Sequence, residues 1–304
     1  MFFDGFRLEH IDVGQTRLRV RHGGDGSPVL LLHGHPRTHA TWHRLAPLLA
    51  AAGHTVVCPD LPGYGGSGKP ASRPDHRPHS KRAMAQACVR LMAALGHQRF
   101  AVVGHDRGGY VAFRAAMDHP ERVTHLAALD VVPIGSALAR CDARFAAAWW
   151  HWFFMGQPTP TPERVINADP QAWYAARPGN RRELMGEEAW RDWLRAISDP
   201  ETVHAMCEDY RAGLTVDRTD DDADQRAGRR LACPVLAVWA EGDDLPGLYG
   251  DVAAVWREWS DDVRGVELPG GHHLAEEVPA ELAAELLPFL AGARNVAPAG
   301  PPGS

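Results

Sequence analysis

Asp106 stands at the centre of Gly104-His105-Asp106-Arg107-Gly108, after the apolar run Phe100–Val103 and before a stretch with helical periodicity. A glycine two places to either side of a polar residue, at a strand-to-helix turn, is the pattern that lifts a nucleophile clear of the chain. The residue here is a carboxylate, not a hydroxyl. A carboxylate is a poor nucleophile toward esters, because the product is a labile anhydride. It can displace a leaving group at saturated carbon, giving an alkyl ester of Asp106. Completing such a reaction needs donors for an oxyanion, a histidine to activate water against the ester, and an acid to orient that histidine. Carbon–halogen compounds and epoxides are the substrates consistent with it. A serine-type esterase is disfavoured, since the elbow holds neither serine nor cysteine. The bland alternative is an aspartate that only caps a helix.

The remaining groups lie where that chemistry requires them. His33-Gly34-His35-Pro36 follows the apolar run Ser27–Leu32, and a loop there can aim backbone N–H groups at the elbow. Asp130 in "ALDVV" follows the next strand-like run, and Asp243 or Asp244 in "WAEGDD" follows the one after; these compete for the role of orienting acid. His272 in "LPGGHHLAEE" is the expected base, with His273 ranked second. Nucleophile, acid and histidine then occur in the chain order of an α/β-hydrolase.

Strands and helices alternate through the first 132 residues. Thr16–Gly24, the apolar run of Ser27–Pro36 that closes on a Gly/Pro loop, the start of His54–Gly68 before its Gly-rich loop, Arg99–Asp106 and Val123–Val132 read as strands. Thr41–Gly53, Ser80–Gly96 and Arg107–Pro120 read as helices. Continuous apolar strands between helices imply a mostly parallel sheet covered on both faces. From about Pro133 to Arg230 the rhythm breaks into aromatic and arginine-rich helical pieces, then resumes at "CPVLAVWAEGDD". The expected organisation is a core of residues 1–132 and 231–292, a helical cap of 133–230 inserted over the strand ends, and a disordered Pro/Gly/Ala tail of 293–304.

Composition fits this fold class. The 304 residues are 45% hydrophobic and 23% charged, enough for a sizeable core. A net charge of −6 lacks the basic footprint of a nucleic-acid binder. No apolar run is long enough to span a membrane. Five scattered cysteines contain no CxxC pair, which argues against zinc and a disulfide framework and for reduced thiols. "MFFDGFRLEH" lacks the layout of a secretory signal. The expected localisation is cytoplasmic, with no membrane or nucleic-acid partner and no metal or organic cofactor.

The strings "HGHPRTHATWHR", "GHDRGGYVAFRAAMDHPERV", "LDVVP", "WWHWFFMGQPTPTPE", "MCEDYRAG" and "GHHLAEE" resemble the fluoroacetate (haloacetate) dehalogenases of the α/β-hydrolase superfamily. The similarity covers nearly the whole chain and is weakest around Arg177–Asp192 and at the tail. It implies Asp106 as nucleophile, His272 as base and Asp130, ahead of Asp243, as acid. It also implies halide contacts from His151, Trp152 and Tyr210, neutral donors suited to a poor leaving group. His35 and Arg107 are expected beside a small 2-halo acid. In the family a second arginine, one turn beyond the first, completes a carboxylate clamp; here that position holds Tyr110. Arg37 is the expected substitute, and Arg114 is expected to lie too far away. Relatives of this kind are often dimers. An epoxide hydrolase built on the same Asp-His-Asp set is the alternative, with Tyr174 and Tyr210 as its candidate ring-protonating tyrosines.

Overall fold

The structure is a computed structural model that describes residues 2–177 and 179–291. Eight strands form one sheet: β1 (Arg7–Asp12), β2 (Arg17–Gly23), β3 (Ser27–Leu32), β4 (His54–Pro59), β5 (Phe100–His105), β6 (Val123–Leu129), β7 (Val235–Ala240) and β8 (Val263–Leu268). Their order is β1-β2-β4-β3-β5-β6-β7-β8. The β1–β2 and β2–β4 pairs are antiparallel, and all others are parallel. The expected α/β class with a mostly parallel sheet is what the chain adopts.

The apolar strand runs explain both covered faces. Along β5, Phe100 and Val102 belong to one buried apolar cluster, Ala101 and Val103 to the other. A strand turns alternate side chains to opposite faces, so an uninterrupted apolar run serves two cores at once. Helices α2 (Lys81–Ala94) and α3 (Arg107–Asp118) pack on the first face. Helices α1 (Leu45–Ala51) and α16 (Pro279–Ala291) pack on the second.

Between β6 and β7 the described chain is helical throughout. It runs through α4 (Ile134–Ala139), α5 (Ala143–Ala148), α6 (Trp150–Met155), α7 (Thr161–Ala168), α8 (Pro170–Ala175), α9 (Arg182–Met185), α10 (Glu187–Ile197), α11 (Pro200–Ala212), a π-helical turn at Gly213–Asp217, and α12 (Arg218–Arg226). Helices α13 (Leu245–Tyr249), α14 (Val252–Arg257) and α15 (Leu274–Glu277) complete the molecule. The tail reading at 293–304 lies outside the described residues.

Three elements differ from expectation. The sequence reading contains no counterpart of β1, whose side chains are nearly all exposed; an edge strand with no buried face has no hydrophobic alternation to read. The helix expected over Thr41–Gly53 begins only at Leu45, after a 3-10 turn at His39–Trp42. Pro47 lacks an N–H and suits only a first turn. The helix expected near Tyr249 starts at Val252, because Gly250 takes φ 68° and Asp251 caps Ala254 N–H at 2.9 Å.

Strand order reverses direction between β3 and β5, since β4 lies on one side of β3 and β5 on the other. In such a sheet, ligands bind beyond the carboxyl ends of the strands at that switch point. The loop after β3 and the elbow after β5 are therefore adjacent by topology. Asp130 directly follows β6, Asp243 lies just past β7, and His272 lies just past β8.

Candidate active site

Asp106 adopts φ 49° and ψ −121°, a sparsely populated region for a residue with a Cβ. Such a conformation costs about 1–3 kcal/mol and persists only where the surroundings enforce it. The enforcement is visible in the flanking glycines. A Cβ on Gly108 would collide with the carbonyl oxygens of Leu32 and His33, and one on Gly104 would collide with Gly108 itself. Helix α3 can approach the ends of β5 and β3 this tightly only without those side chains.

The backbone N–H of His35 donates to Asp106 Oδ1 at 2.7 Å. A Cβ on Gly34 would overlap the Asp106 carboxylate. The loop is held from behind by His33, whose Nε2 accepts from Leu61 N–H at 3.0 Å, leaving Nδ1 to donate to Gly34 O at 2.9 Å. The His35 ring is buried, and neither nitrogen has a partner among the described residues.

His272 Nε2 lies 3.9 Å from Asp106 Oδ2. Its Nδ1 meets both competing acids, Asp130 Oδ2 at 2.7 Å and Asp243 Oδ2 at 2.8 Å. The acid side is thus a carboxylate pair, not a choice between two loops. Asp130 is fully buried and accepts from Ala240 N–H at 3.1 Å, whereas the Asp243 side chain is 21% exposed. Burial, followed by the hydrogen bond to Asp243, holds Asp130 well above the ordinary carboxylate range. Burial opposes ionisation of Asp243 too, but the His272 charge and its hydrogen bonds outweigh it and hold Asp243 far below that range. Burial works against the His272 imidazolium, yet the Asp243 charge and the two carboxylate bonds raise its pKa well above the usual histidine value. Among the described residues, Asp130, Asp243 and His272 are also the group whose ligand atoms, within 4.8 Å of one another, could hold a cation.

His105 is a site residue that the sequence reading passed over. Its Nε2 donates to the His272 carbonyl at 2.6 Å, and the two rings lie 4.6 Å apart. Burial, then the His272 charge, keep His105 neutral and so able to make that single bond. The only sequence signal was its place beside the nucleophile. His273, the second-ranked base, caps α15 and packs against Gly179 instead.

Opposite Asp106, α6 and α11 bring His151, Trp152 and Tyr210 together. His151 and Tyr210 rings are 5.8 Å apart, Trp152 and Tyr210 6.3 Å, and His35 and Tyr210 5.2 Å. Tyr110 meets Trp152 edge-on at 5.8 Å. Burial, then the Asp106 charge, raise Tyr210 and Tyr110 far above the ordinary phenol value, so both remain neutral donors. Tyr174 is buried, and its hydroxyl is directed at Met206 Sδ at 3.4 Å.

The arginines require a correction. Arg37 is not turned to a substrate: it pairs with Glu276 through Nε at 2.9 Å and Nη2 at 2.8 Å. It also donates to Gly179 O at 2.9 Å and to Asn180 Oδ1. Arg107 lies within the aromatic group, its Cζ 4.2 Å from the Tyr210 ring centroid, but its charge is matched by Asp209 at 2.9 and 3.0 Å. Asp209 is shared with Lys81. Arg107 Nη1 alone is left buried without a partner. Arg114 pairs with Asp221 and Asp224, away from the elbow, as its position predicts.

The chain is similar to known proteins over nearly its whole length. Residues 27–278 match the family model described as the alpha/beta hydrolase fold. The chain is 40% identical over 297 residues to a fluoroacetate dehalogenase of Burkholderia sp, covering 96% of each chain. It is 31% identical over 305 residues to a soluble epoxide hydrolase of Corynebacterium sp. (strain C12), again covering 96% of each. A solved protein of Nostoc sp PCC 7120 named only for this fold superposes with a TM-score of 0.90 at 44% identity, over 95% of this chain and 99% of that one.

Proposed function

The chain belongs to the alpha/beta hydrolase fold family, and we propose on that footing that it is a hydrolytic dehalogenase of small 2-halo acids such as fluoroacetate. Asp106 Oδ1 is held by His35 N–H, which leaves Oδ2 to attack the halogen-bearing carbon. The C–X bond breaks as the O–C bond forms, and halide departs toward the neutral donors His151, Trp152 and Tyr210. Water then attacks Cγ of the Asp106 ester and loses its proton to His272 Nε2. The alcohol oxygen leaves with its electron pair and takes the proton back from His272, the 2-hydroxy acid is released, and the carboxylate is restored as the remaining water proton passes to solvent. His35 N–H and the N–H of Arg107, which follows the nucleophile, hold the oxyanion in that second step. The Asp130–Asp243 pair orients the imidazole and faces its charge. Residues 133–230 act as a cap that supplies the halide donors, and 1–132 with 231–292 act as the core that supplies the triad.

The observation that carries this reading is His272, held by carboxylates at Nδ1 and facing Asp106 with Nε2. With carboxylate in place of hydroxyl at the elbow, that arrangement serves a base for ester hydrolysis. The test is His272→Asn, which should stop turnover after the first step. Intact-mass measurement with fluoroacetate or chloroacetate should then show Asp106 carrying the alkyl ester. A substrate that is turned over by the unaltered enzyme yet leaves no adduct on the variant removes the two-step scheme.

One observation favours the epoxide reading: Tyr210 is a neutral phenol close enough to Asp106 to feel its charge. The second candidate tyrosine, Tyr174, is turned to Met206. Halide release scored against diol formation on the same substrate panel separates the two reactions.

A further inference from the structure

The position of the family's second clamp arginine holds Tyr110, Arg37 is bound to Glu276, and Arg107 is matched by Asp209, with its Nη1 left unpaired among the described residues. A 2-halo acid still brings a carboxylate, and the rim it must approach already carries Asp106 and the Asp130–Asp243 pair. An uncommitted cation is required on another side of the cleft. Arg177 meets that requirement. It lies in the turn after α8, where the resemblance to the dehalogenases is weakest. Its Nη2 is buried with no hydrogen-bond partner among the described residues, and its guanidinium stands 5.8 Å from the Trp150 ring centroid.

The electrostatics place Arg177 at the cleft. After burial, its charge is the strongest influence holding both His35 and His151 well below the ordinary histidine value. It also acts on Tyr210 and Tyr174. Arg107, by contrast, stands among Tyr110, Trp152 and Tyr210. Arg177 therefore acts on His35 and His151 more strongly than Arg107 does.

The turn is also held in place. Arg177 N–H donates to Tyr174 O at 3.2 Å, and Asn180 Nδ2 donates to the same carbonyl at 2.8 Å. Arg37 grips Gly179 and Asn180 from the core, and Gly179 lies close enough to His273 that a Cβ would strike the ring. Arg37 thus acts as a positioning residue, setting the turn that carries the free guanidinium.

We propose that Arg177 is the carboxylate receptor of this active site, replacing from the inserted helices the arginine that Tyr110 displaces on α3. The proposal rests on the haloacid reading and specifies which residue selects an acid over a neutral halide. Wild type, Arg177→Gln and Arg177→Lys should be compared on chloroacetate and on chloroacetamide, which differs by lacking the charge. In Arg177→Gln, KM for chloroacetate should rise about tenfold or more with kcat within about threefold, Lys should restore part of it, and chloroacetamide should change less than about twofold. Equal losses on both substrates would assign Arg177 to halide stabilisation or to structure and overturn the proposal.

A second measurement does not depend on turnover: calorimetric binding of chloroacetate to Asp106→Asn, with and without Arg177→Gln. Weaker binding on loss of Arg177 supports the receptor even if wild type releases no halide, in which case only the dehalogenase reading falls. Unchanged binding, or none in either variant, overturns the receptor whatever the turnover.

Discussion

The sheet rim and the helical insertion bring different side chains to the same site. On the rim, Asp106 and the Asp130–Asp243 pair surround a single histidine. On the insertion side, His151, Trp152 and Tyr210 stay neutral, and Arg177 supplies a positive end. The means of holding differ as well. Each rim group lies within a few residues of a strand end, so backbone pairing fixes its place. The insertion holds its groups by ring packing and by long side-chain bonds such as Arg37 to Gly179. On the proposed reading, the rim sets the reaction type and the insertion the choice of substrate.

The comparison is tested hardest at the carboxylate pair. If rim groups act as one preorganised unit, losing both orienting acids should cost far more than losing either. Asp130→Asn with Asp243→Asn should lower kcat by about 10⁴, the scale seen when a triad acid is lost, whereas each single change should lower it by no more than about tenfold. Steady-state kinetics on all three variants checks this; additive single effects would show two independent acids. Asp243→Asn also removes the anion that raises His272. The base must be neutral to activate water, so activity falls as pH drops through its pKa. That acid limb should move to lower pH in the variant, read from a pH profile of kcat.

Gly34→Ala comes next. Its methyl would occupy the Asp106 carboxylate position and push the His35 N–H aside. A loss of about 10²–10³ in kcat, with thermal stability far less affected, is the expected result. Arg37→Gln breaks the insertion's tie to the core. It leaves Glu276 fully buried without its cation, which should destabilise by about 3–5 kcal/mol in denaturant unfolding. KM for haloacids should rise more than kcat falls, because the rim is untouched. The smallest effect is Trp152→Phe, which removes one donor at the leaving group. Fluoride release should slow about tenfold and chloride or bromide release less, since the poorest leaving group gains most from donors. Equal slowing of all three would assign Trp152 to packing.

Much of the rim was legible. Asp106 is marked by two glycines that the close approach of β5 and α3 demands, and His272 by a Gly-Gly loop beyond the last strand. Both signals are local because the backbone creates them locally. Of the insertion, only the clustering of His151, Trp152 and Tyr210 could be inferred, and that came through resemblance. No spacing announces that residues 59 positions apart will share a ring contact, as His151 and Tyr210 do. The reading of Arg37 failed for a related reason. Its loop position was right, but its charge is answered by Glu276, 239 residues later.

Sequence alone determined the alternating fold and the elbow with a carboxylate at its tip, because each depends on neighbouring residues: apolar runs, glycines and one acidic side chain. Tertiary structure alone decided which charges remain available. It paired Arg37 with Glu276 and Arg107 with Asp209, joined Asp130 to Asp243 at one imidazole, and left a guanidinium nitrogen of Arg177 without a partner. A charge acts through space, and its partners are chosen by folding rather than by order along the chain.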